Sequence, residues 1–308
     1  MSEIKKRKSL NPEGQSSGIV VNAVLLFLVI IWTIPTFGIL VTSFRAKDNV
    51  FATGWWQALS DDSGFTLENY GQVLAGRDYK LKSDSNNNSS VKGDNMAGAF
   101  LNSISVTVPA VVIPILIAAF AAYGFAWLDF PGRKPLFILI VALLVVPLQI
   151  SLIPVLRDYQ KLKLNGTYLG IWLAHTGFGL PLATYLLFNY ISTIPRSILE
   201  SAFIDGASHF TTFIRLILPL SVPALASFAI FQFLWVWNDM LVALVFLSGA
   251  GAKMQVVTVR LLNLIGSRGQ DWQLLTSGAF ISMILPLTVF LSLQKFFIRG
   301  LMAGSVKE

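Results

Sequence analysis

Gly18-Ile19-Val20-Val21-Asn22-Ala23-Val24-Leu25-Leu26-Phe27-Leu28-Val29-Ile30-Ile31-Trp32-Thr33-Ile34-Pro35-Thr36-Phe37-Gly38-Ile39-Leu40-Val41-Thr42-Ser43-Phe44 is a run of 27 residues without one charge. About 20 apolar residues cross the hydrocarbon core of a bilayer as a helix. The apolar stretch of a secretory leader is about 7 to 15 residues long. The cluster Lys5, Lys6, Arg7 and Lys8 in front of the run resembles a leader, but the length behind it predicts a retained first span. Five more stretches qualify, at 99–128, 135–156, 168–191, 221–247 and 274–294, and only the fifth of the six carries a charge, Asp239. Helices satisfy their own backbone in lipid, so the expectation is an all-α membrane protein of six transmembrane helices.

Composition agrees with that reading. The chain is 54% hydrophobic and 13% charged, against about 25% charged in an average soluble domain. Cysteine is absent, and the only histidines are His175 and His209. Disulfides and thiolate chemistry are therefore excluded, two histidines disfavour a histidine-built metal site, and no metal-binding residue is expected. The net charge of +7 is scattered between apolar spans. That distribution suits anchors against membrane lipid, and no nucleic-acid partner is expected.

Basic residues orient membrane proteins. Six spans put both termini on one side. Placing them in the cytoplasm puts 11 of the 23 Lys and Arg residues inside and leaves six in the long 45–98 loop outside. The expected organisation is a cytoplasmic tail at 1–17, a first span at 18–44 and a periplasmic loop at 45–98. A core at 99–294 holds the remaining five spans, and 295–308 is a second cytoplasmic tail. Within the loop, Asn86-Asn87-Asn88-Ser89-Ser90 reads as a polar surface tip, and the 76–98 stretch as an insertion. Trp55 and Trp56 read either as interfacial anchors or as partner contacts.

One segment between the fourth and fifth spans is too polar to cross lipid: Ile194-Pro195-Arg196-Ser197-Ile198-Leu199-Glu200-Ser201-Ala202-Phe203-Ile204-Asp205-Gly206-Ala207-Ser208-His209-Phe210, continuing to Leu216-Ile217-Leu218-Pro219. Pro195 suits a first helical turn. Ser197 to Ile204 then reads as a short amphipathic helix ended by Gly206. A second short helix, Thr211 to Leu218, is expected to stop at Pro219.

The spacing in this segment resembles the EAA loop of ABC import permeases: Glu-Ala-Ala, three residues, Gly, nine residues, Ile, one residue, Leu-Pro. Glu200, Ala202, Gly206, Leu218 and Pro219 fall in register, with Ser201 for an alanine and Leu216 for the isoleucine. Phe65-Thr66-Leu67-Glu68-Asn69-Tyr70, Asn102-Ser103, Phe130-Pro131-Gly132-Arg133 and Phe231 to Asp239 resemble the sugar importers of that group. The tail Phe297 to Glu308 resembles MalG-type carbohydrate permeases. Ser267-Arg268-Gly269-Gln270-Asp271-Trp272, with the tail, resembles permeases for α-glucosides and glucosylglycerol-type osmolytes.

The resemblance implies a type I importer permease, a transport subunit with no catalytic residue. Its partners would be a MalF-like second permease, an ATPase dimer, an external solute-binding protein and a sugar. The chain has no Gly-x-x-x-x-Gly-Lys-Ser/Thr, so ATP and magnesium would be bound by the partner ATPase and no cofactor by this chain. Glu200, Ser201, Ala202, Asp205, Gly206, Ala207, Phe210, Leu218 and Pro219 would form the ATPase-coupling surface. Ala303, Gly304, Ser305, Val306 and Lys307 would reach the ATPases, unless they are an ordinary frayed end. Gly249, Ala250, Gly251 and Ala252, in a loop read as flexible, would contact the binding protein; the alternative is a plain connecting turn.

A substrate path is the least determined part. Trp235, Trp237, Asn238 and Asp239 combine stacking rings with hydrogen-bonding groups, although consecutive helical residues cannot all face one cavity. Asp239 reads equally as a functional intramembrane acid or as a hydrated one near the interface. Asn189 and Gln149 are either path residues or bonds between helices. A secondary transporter would need midplane ion sites and repeats, and a membrane enzyme would need an acid–base or metal constellation. The sequence offers neither.

Overall fold

The structure is a computed structural model that describes residues 13–59, 64–75, 79–80, 90–91, 95–264 and 271–303. The Lys5–Lys8 cluster, Asn86–Ser89, Ser267–Gln270 and Gly304–Lys307 lie outside the described residues. The helices are α1 (Glu13–Ser43), α2 (Lys47–Ala52), α3 (Glu68–Ala75), α4 (Met96–Trp127), α5 (Arg133–Ala142), α6 (Leu148–Lys161) and α7 (Tyr168–Ile191). They continue with α8 (Arg196–Ile204), α9 (His209–Thr212), α10 (Leu218–Leu220), α11 (Val222–Asn238), α12 (Leu241–Phe246), α13 (Val257–Leu264) and α14 (Trp272–Ala303). A single antiparallel pair joins Tyr79–Lys80 to Ser90–Val91.

Among the described residues α1, α4, α7 and α14 are long and apolar enough to cross a membrane, and two bent pairs bring the number to six. The third predicted span is one of these pairs, and it is not a straight helix. α5 passes through a 3-10 turn at Leu143–Val145 and then bends by 105° into α6. The cause is Pro147, which has no N–H to continue the ladder and holds Val146 extended at φ −72°, ψ 116°. The fifth predicted span also breaks. α11 ends at Asn238, Asp239 is extended, and α12 restarts at Leu241.

Pro114 lies inside α4 without breaking it. Its missing N–H would have bonded Ala110 O. Gln232 of α11 supplies a replacement, donating from Nε2 to Ala110 O at 3.1 Å. Gly179 lets Gln232 pass, because a Cβ there would come within 2.7 Å of its amide.

Packing joins the spans in layers. Ala118, Ala119 and Ala122 of α4 meet Ala183, Leu187 and Ile191 of α7. Small residues let helix backbones approach closely where lipid tails give no hydrophobic drive. Nearer the opposite end, Val106 and Ala110 pack with Ile171, Ala174, Val242 and Phe246. Helix α1 stands apart, exposed along most of its length. It is fastened at its last turn, where Ser43 O accepts from Asn69 Nδ2 and from Ser277 Oγ, each at 2.9 Å. Asn69 Nδ2 also donates to Arg45 O at 2.9 Å. Phe65 to Tyr70 is thus a clip on the end of α1. The buried Arg45 donates to Thr53 O, to Asn49 O and to Thr53 Oγ1, which ties α2 to the same end.

Candidate functional site

The segment predicted to lie between two spans forms an angular surface at one end of the bundle. Pro195 precedes α8, and Asp205 ends it. Gly206 takes φ +81°, Ala207 N donates to Ala202 O at 2.9 Å, and Gly206 N donates to Phe203 O at 3.0 Å. This paired pattern is the Schellman turn, in which the left-handed residue is nearly always glycine. Ser208 then caps α9, accepting from Thr211 N at 3.2 Å.

The inward face of this surface is anchored. Leu199, Phe213 and Ile217 are buried against α4 and α7. Phe213 packs on Phe120 and Tyr123, and Tyr123 OH shares a 3.0 Å hydrogen bond with His209 Nδ1. The outward face is open. Glu200, Ser201, Asp205 and Gly206 are exposed, Ile204 is 86% exposed and Phe210 66%. Glu200 has no ion-pair or hydrogen-bond partner among the described residues. It borders a cavity with Trp127, Asp129, Arg133, Arg196, Leu199 and Phe203. A carboxylate and two large apolar side chains thus lie exposed on one outward face around the turn at Gly206.

The expected second helix does not stop at Pro219. His209 to Leu220 runs on through a π-turn at Phe213–Ile217, then bends by 71° into α11. The bend falls at Ser221 because Pro223 cannot donate to Pro219 O and its ring crowds that carbonyl. The exposed α8–α9 segment and α11 are therefore one continuous piece of chain.

At the opposite end the loop Ser248–Met254 is pinned, contrary to the expectation of flexibility. Asn102 Nδ2 donates to Lys253 O at 2.9 Å and to Gln255 O at 3.1 Å, and Asn102 Oδ1 accepts from Tyr168 OH at 2.9 Å. Ser103 Oγ accepts from Val257 N at 2.8 Å. Gly166 N donates to Phe246 O at 2.8 Å, and a Cβ on Gly166 would sit 2.8 Å from Gly249 C. Gly249 and Gly251 are exposed and Ala250 is half-buried; the side chain of Ala252 lies outside the description.

The candidate path residues do not come together. Trp237 is 2% exposed, packs on Phe100 and Phe233, and donates from Nε1 to Ser282 O at 3.1 Å, so it is a packing residue. Asn238 Nδ2 donates within its own helix to Leu234 O. Asp239 accepts from Ala243 N at 3.1 Å, which caps α12, and lies 4.0 Å from His175 Nε2. Trp235 stands edge-on to His175. Gln149 and Asn189 are exposed on α6 and α7, with no hydrogen-bond partner among the described residues. The reading of residues alone missed the roles of Asn102, Gln232 and His175. Their signal was a polar side chain inside an apolar run, which for Asn102 and Gln232 marks a bond to another segment. Ala303 closes α14, and the rest of the tail lies outside the described residues.

Comparison with known proteins gives this geometry a family. The profile described as "Binding-protein-dependent transport system inner membrane component" matches residues 87–302. The chain is 54% identical to the osmoprotective compounds uptake permease protein GgtD of Synechocystis sp., over 94% of this chain and 92% of that protein. It is 46% identical to the alpha-glucoside transport system permease protein AglG of Rhizobium meliloti, over 92% of this chain and 95% of that protein. The fold matches a chain in the crystal structure of a bacterial ABC transporter involved in import of the acidic polysaccharide alginate. That match has TM-score 0.70 and 19% identity over 94% of this chain and 100% of that one. A nearly all-helical, multi-pass chain with an exposed angular surface at one end and a pinned loop at the other therefore belongs to the inner-membrane permease components of binding-protein-dependent ABC transport systems.

Proposed function

We propose that this permease carries an α-glucoside or a glucosylglycerol-like osmolyte inward, as one of two membrane subunits driven by a separate ATPase dimer. The observation that carries the reading is the outward face of α8 and α9: exposed Glu200, Ile204 and Phe210 around a rigid Schellman turn at Gly206. The chain has no nucleotide-binding loop, so the driving force must enter through a surface of this kind. Glu200 makes the charged contact in a cleft of the ATPase. Asp205 and Gly206 form the turn, Ala202 and Ala207 close it, and Leu218 and Pro219 lead the motion into α11. Both termini and this surface face the cytoplasm. ATP and magnesium belong to the ATPase, which Ala303 to Lys307 also reach.

Closure of the ATPases moves α9 to α11 as a body, a rigid-body mode of transmission. α11 is 17 residues long, or about 25 Å at 1.5 Å per residue. Its far end leads through Asp239 and α12 to the Ser248–Met254 loop, where the binding protein docks on Gly249, Ala250, Gly251 and Ala252. Gln149 and Asn189 are the best-placed sugar contacts, because free amides on a spanning face are costly in lipid and useful in an aqueous path. Trp235 and Asp239 stay secondary candidates, and the buried Trp237 supports the wall behind them.

The test is uptake by the reassembled importer of radiolabelled trehalose, sucrose, glucosylglycerol and maltose. A Glu200→Gln variant should insert normally, lose ATPase co-purification and lose uptake. Wild-type uptake by that variant would remove the docking assignment. ATP hydrolysis by the purified chain alone would overturn the division of labour.

A further inference from the structure

A cleft of about 500 Å³ opens between α1, α2 and α14, at the end of the bundle where α1 is clipped. Its walls are Pro35, Gly38, Ile39 and Thr42 of α1, Val50 and Phe51 of α2, Trp55, and Trp272 and Thr276 of α14. We propose that this cleft is a binding site for one membrane phospholipid, with an acyl chain between the helices and the glycerol-phosphate region at the Trp55–Trp272 rim.

Depth is the first argument. Pro35 lies eight residues before Ser43, the last residue of α1, which is about 12 Å at 1.5 Å per residue. The cleft therefore occupies one leaflet of a hydrocarbon core about 30 Å thick. The second argument is chemistry. Thr42 Oγ1 donates to Gly38 O at 2.8 Å and Thr276 Oγ1 to Gln273 O at 3.1 Å, so both hydroxyls are committed to their own helices. The remaining lining is apolar and aromatic, which suits a hydrocarbon chain. The third is the rim. Among the described residues neither the Trp55 nor the Trp272 indole N–H has an acceptor. Indole rings sit at the headgroup level of membranes, where ester and phosphate oxygens accept.

The wall is built rather than incidental. Trp55 lies against Gly38, where a Cβ would come within 2.7 Å of its indole nitrogen, and it meets Phe37 edge-on at 6.0 Å. Buried Arg45 holds the Asn49 and Thr53 carbonyls and so sets the stretch that delivers Trp55. Lys47, one helical turn before Val50 and Phe51, is paired with Asp271 at 2.9 Å. That pairing occupies the cation of α2, so the site selects a phospholipid without requiring an anionic headgroup.

The test uses the full chain in nanodiscs containing phosphatidylethanolamine with a diazirine midway along one acyl chain. Adducts are mapped by peptide mass spectrometry. The expected result is adducts concentrated on Phe51 and Trp272, in clear excess over the Val24–Ile31 face of α1. Ile39→Trp fills the cleft from its exposed side and should remove that excess while leaving Val24–Ile31 adducts unchanged. Trp272→Phe keeps the ring and removes one donor. It should lower the cleft yield about fivefold, the equivalent of ~1 kcal/mol. Equal labelling of both faces, unaffected by Ile39→Trp, means annular lipid only and overturns the site. Labelling seen in the lone chain but lost in the assembled importer means a protein subunit covers the cleft, and also overturns it. A preference of about tenfold for phosphatidylglycerol (~1.4 kcal/mol) would overturn the absence of an anionic requirement.

Discussion

Replacing Gly206 by alanine, valine and asparagine separates two reasons for a glycine in the docking turn. The residue sits at φ +81°, and an added Cβ would meet nothing within 4 Å. The chain by itself therefore has room for a side chain, and the cost of Gly206→Ala comes from the backbone. A non-glycine residue in the left-handed region costs about 1–2 kcal/mol. Energies of that size shift a two-state ratio by a factor of about 5 to 30. The state lost is the closed turn held by Ala207 N to Ala202 O and Gly206 N to Phe203 O. Valine is a genuine outlier there, and asparagine is the best-tolerated replacement. The expected order of uptake is glycine, asparagine, alanine, valine, with alanine reduced several-fold. Hydrogen exchange at Ala207 should quicken in the same order. If asparagine fails as badly as alanine while its Ala207 amide stays protected, φ is not the constraint, and close approach of a partner is. Wild-type uptake by Gly206→Val would refute the need for a closed turn altogether.

Three further outcomes follow from the same geometry. Asn102→Ala removes the bonds donated to Lys253 O at the end of the Ser248–Met254 loop and to Gln255 O just after it, and the bond accepted from Tyr168 OH. It should weaken stimulation of the importer by its binding protein while leaving basal ATP hydrolysis intact, and equal stimulation would show that the pinning is unimportant. Asn69→Ala deprives Arg45 O of its donor and Ser43 O of one of two. A buried group left unsatisfied costs about 1–3 kcal/mol, so the thermal midpoint in detergent should fall by several degrees, and an unchanged midpoint would contradict the clip. Trp237→Ala empties a fully packed position, where truncation of such a ring costs about 3–5 kcal/mol. Expression and melting should suffer, yet the ranking of sugars transported should hold, whereas a changed ranking would return Trp237 to the path.

The first span was plain because length and absence of charge decide it without any neighbour. The turn at Gly206 was also legible, because a Schellman turn is local: one glycine, its offset from Ala202 and Ala207, and a cap at Ser208 suffice. The two prolines Pro114 and Pro147 show where that stops. Both delete an N–H, yet α4 continues because Gln232 arrives from another helix, and the third span bends by 105° where Pro147 interrupts it. The missing N–H alone does not distinguish them. The cluster Trp235 to Asp239 failed for a related reason. Residues adjacent in sequence point around a helix in different directions, so Trp237 went into the core, Asn238 back to its own helix and Asp239 to the next one. The 71° turn at Ser221 needed Pro219 and Pro223 to be read together, as a carbonyl without a donor four residues on.

The clip at Ser43 has a consequence for how the protein is made. Ser277 lies 234 residues after the carbonyl it bonds. Along this chain α1 is made before every other described helix, and α14 after them. For most of synthesis the first span has no packed neighbour on the helix that will hold it. Asn69 gives an early, short-range fastening, and Ser277 adds the long-range one. The bond between α1 and α14 therefore joins the earliest and the latest of the described helices along the chain, and it can form only after α14 has been made.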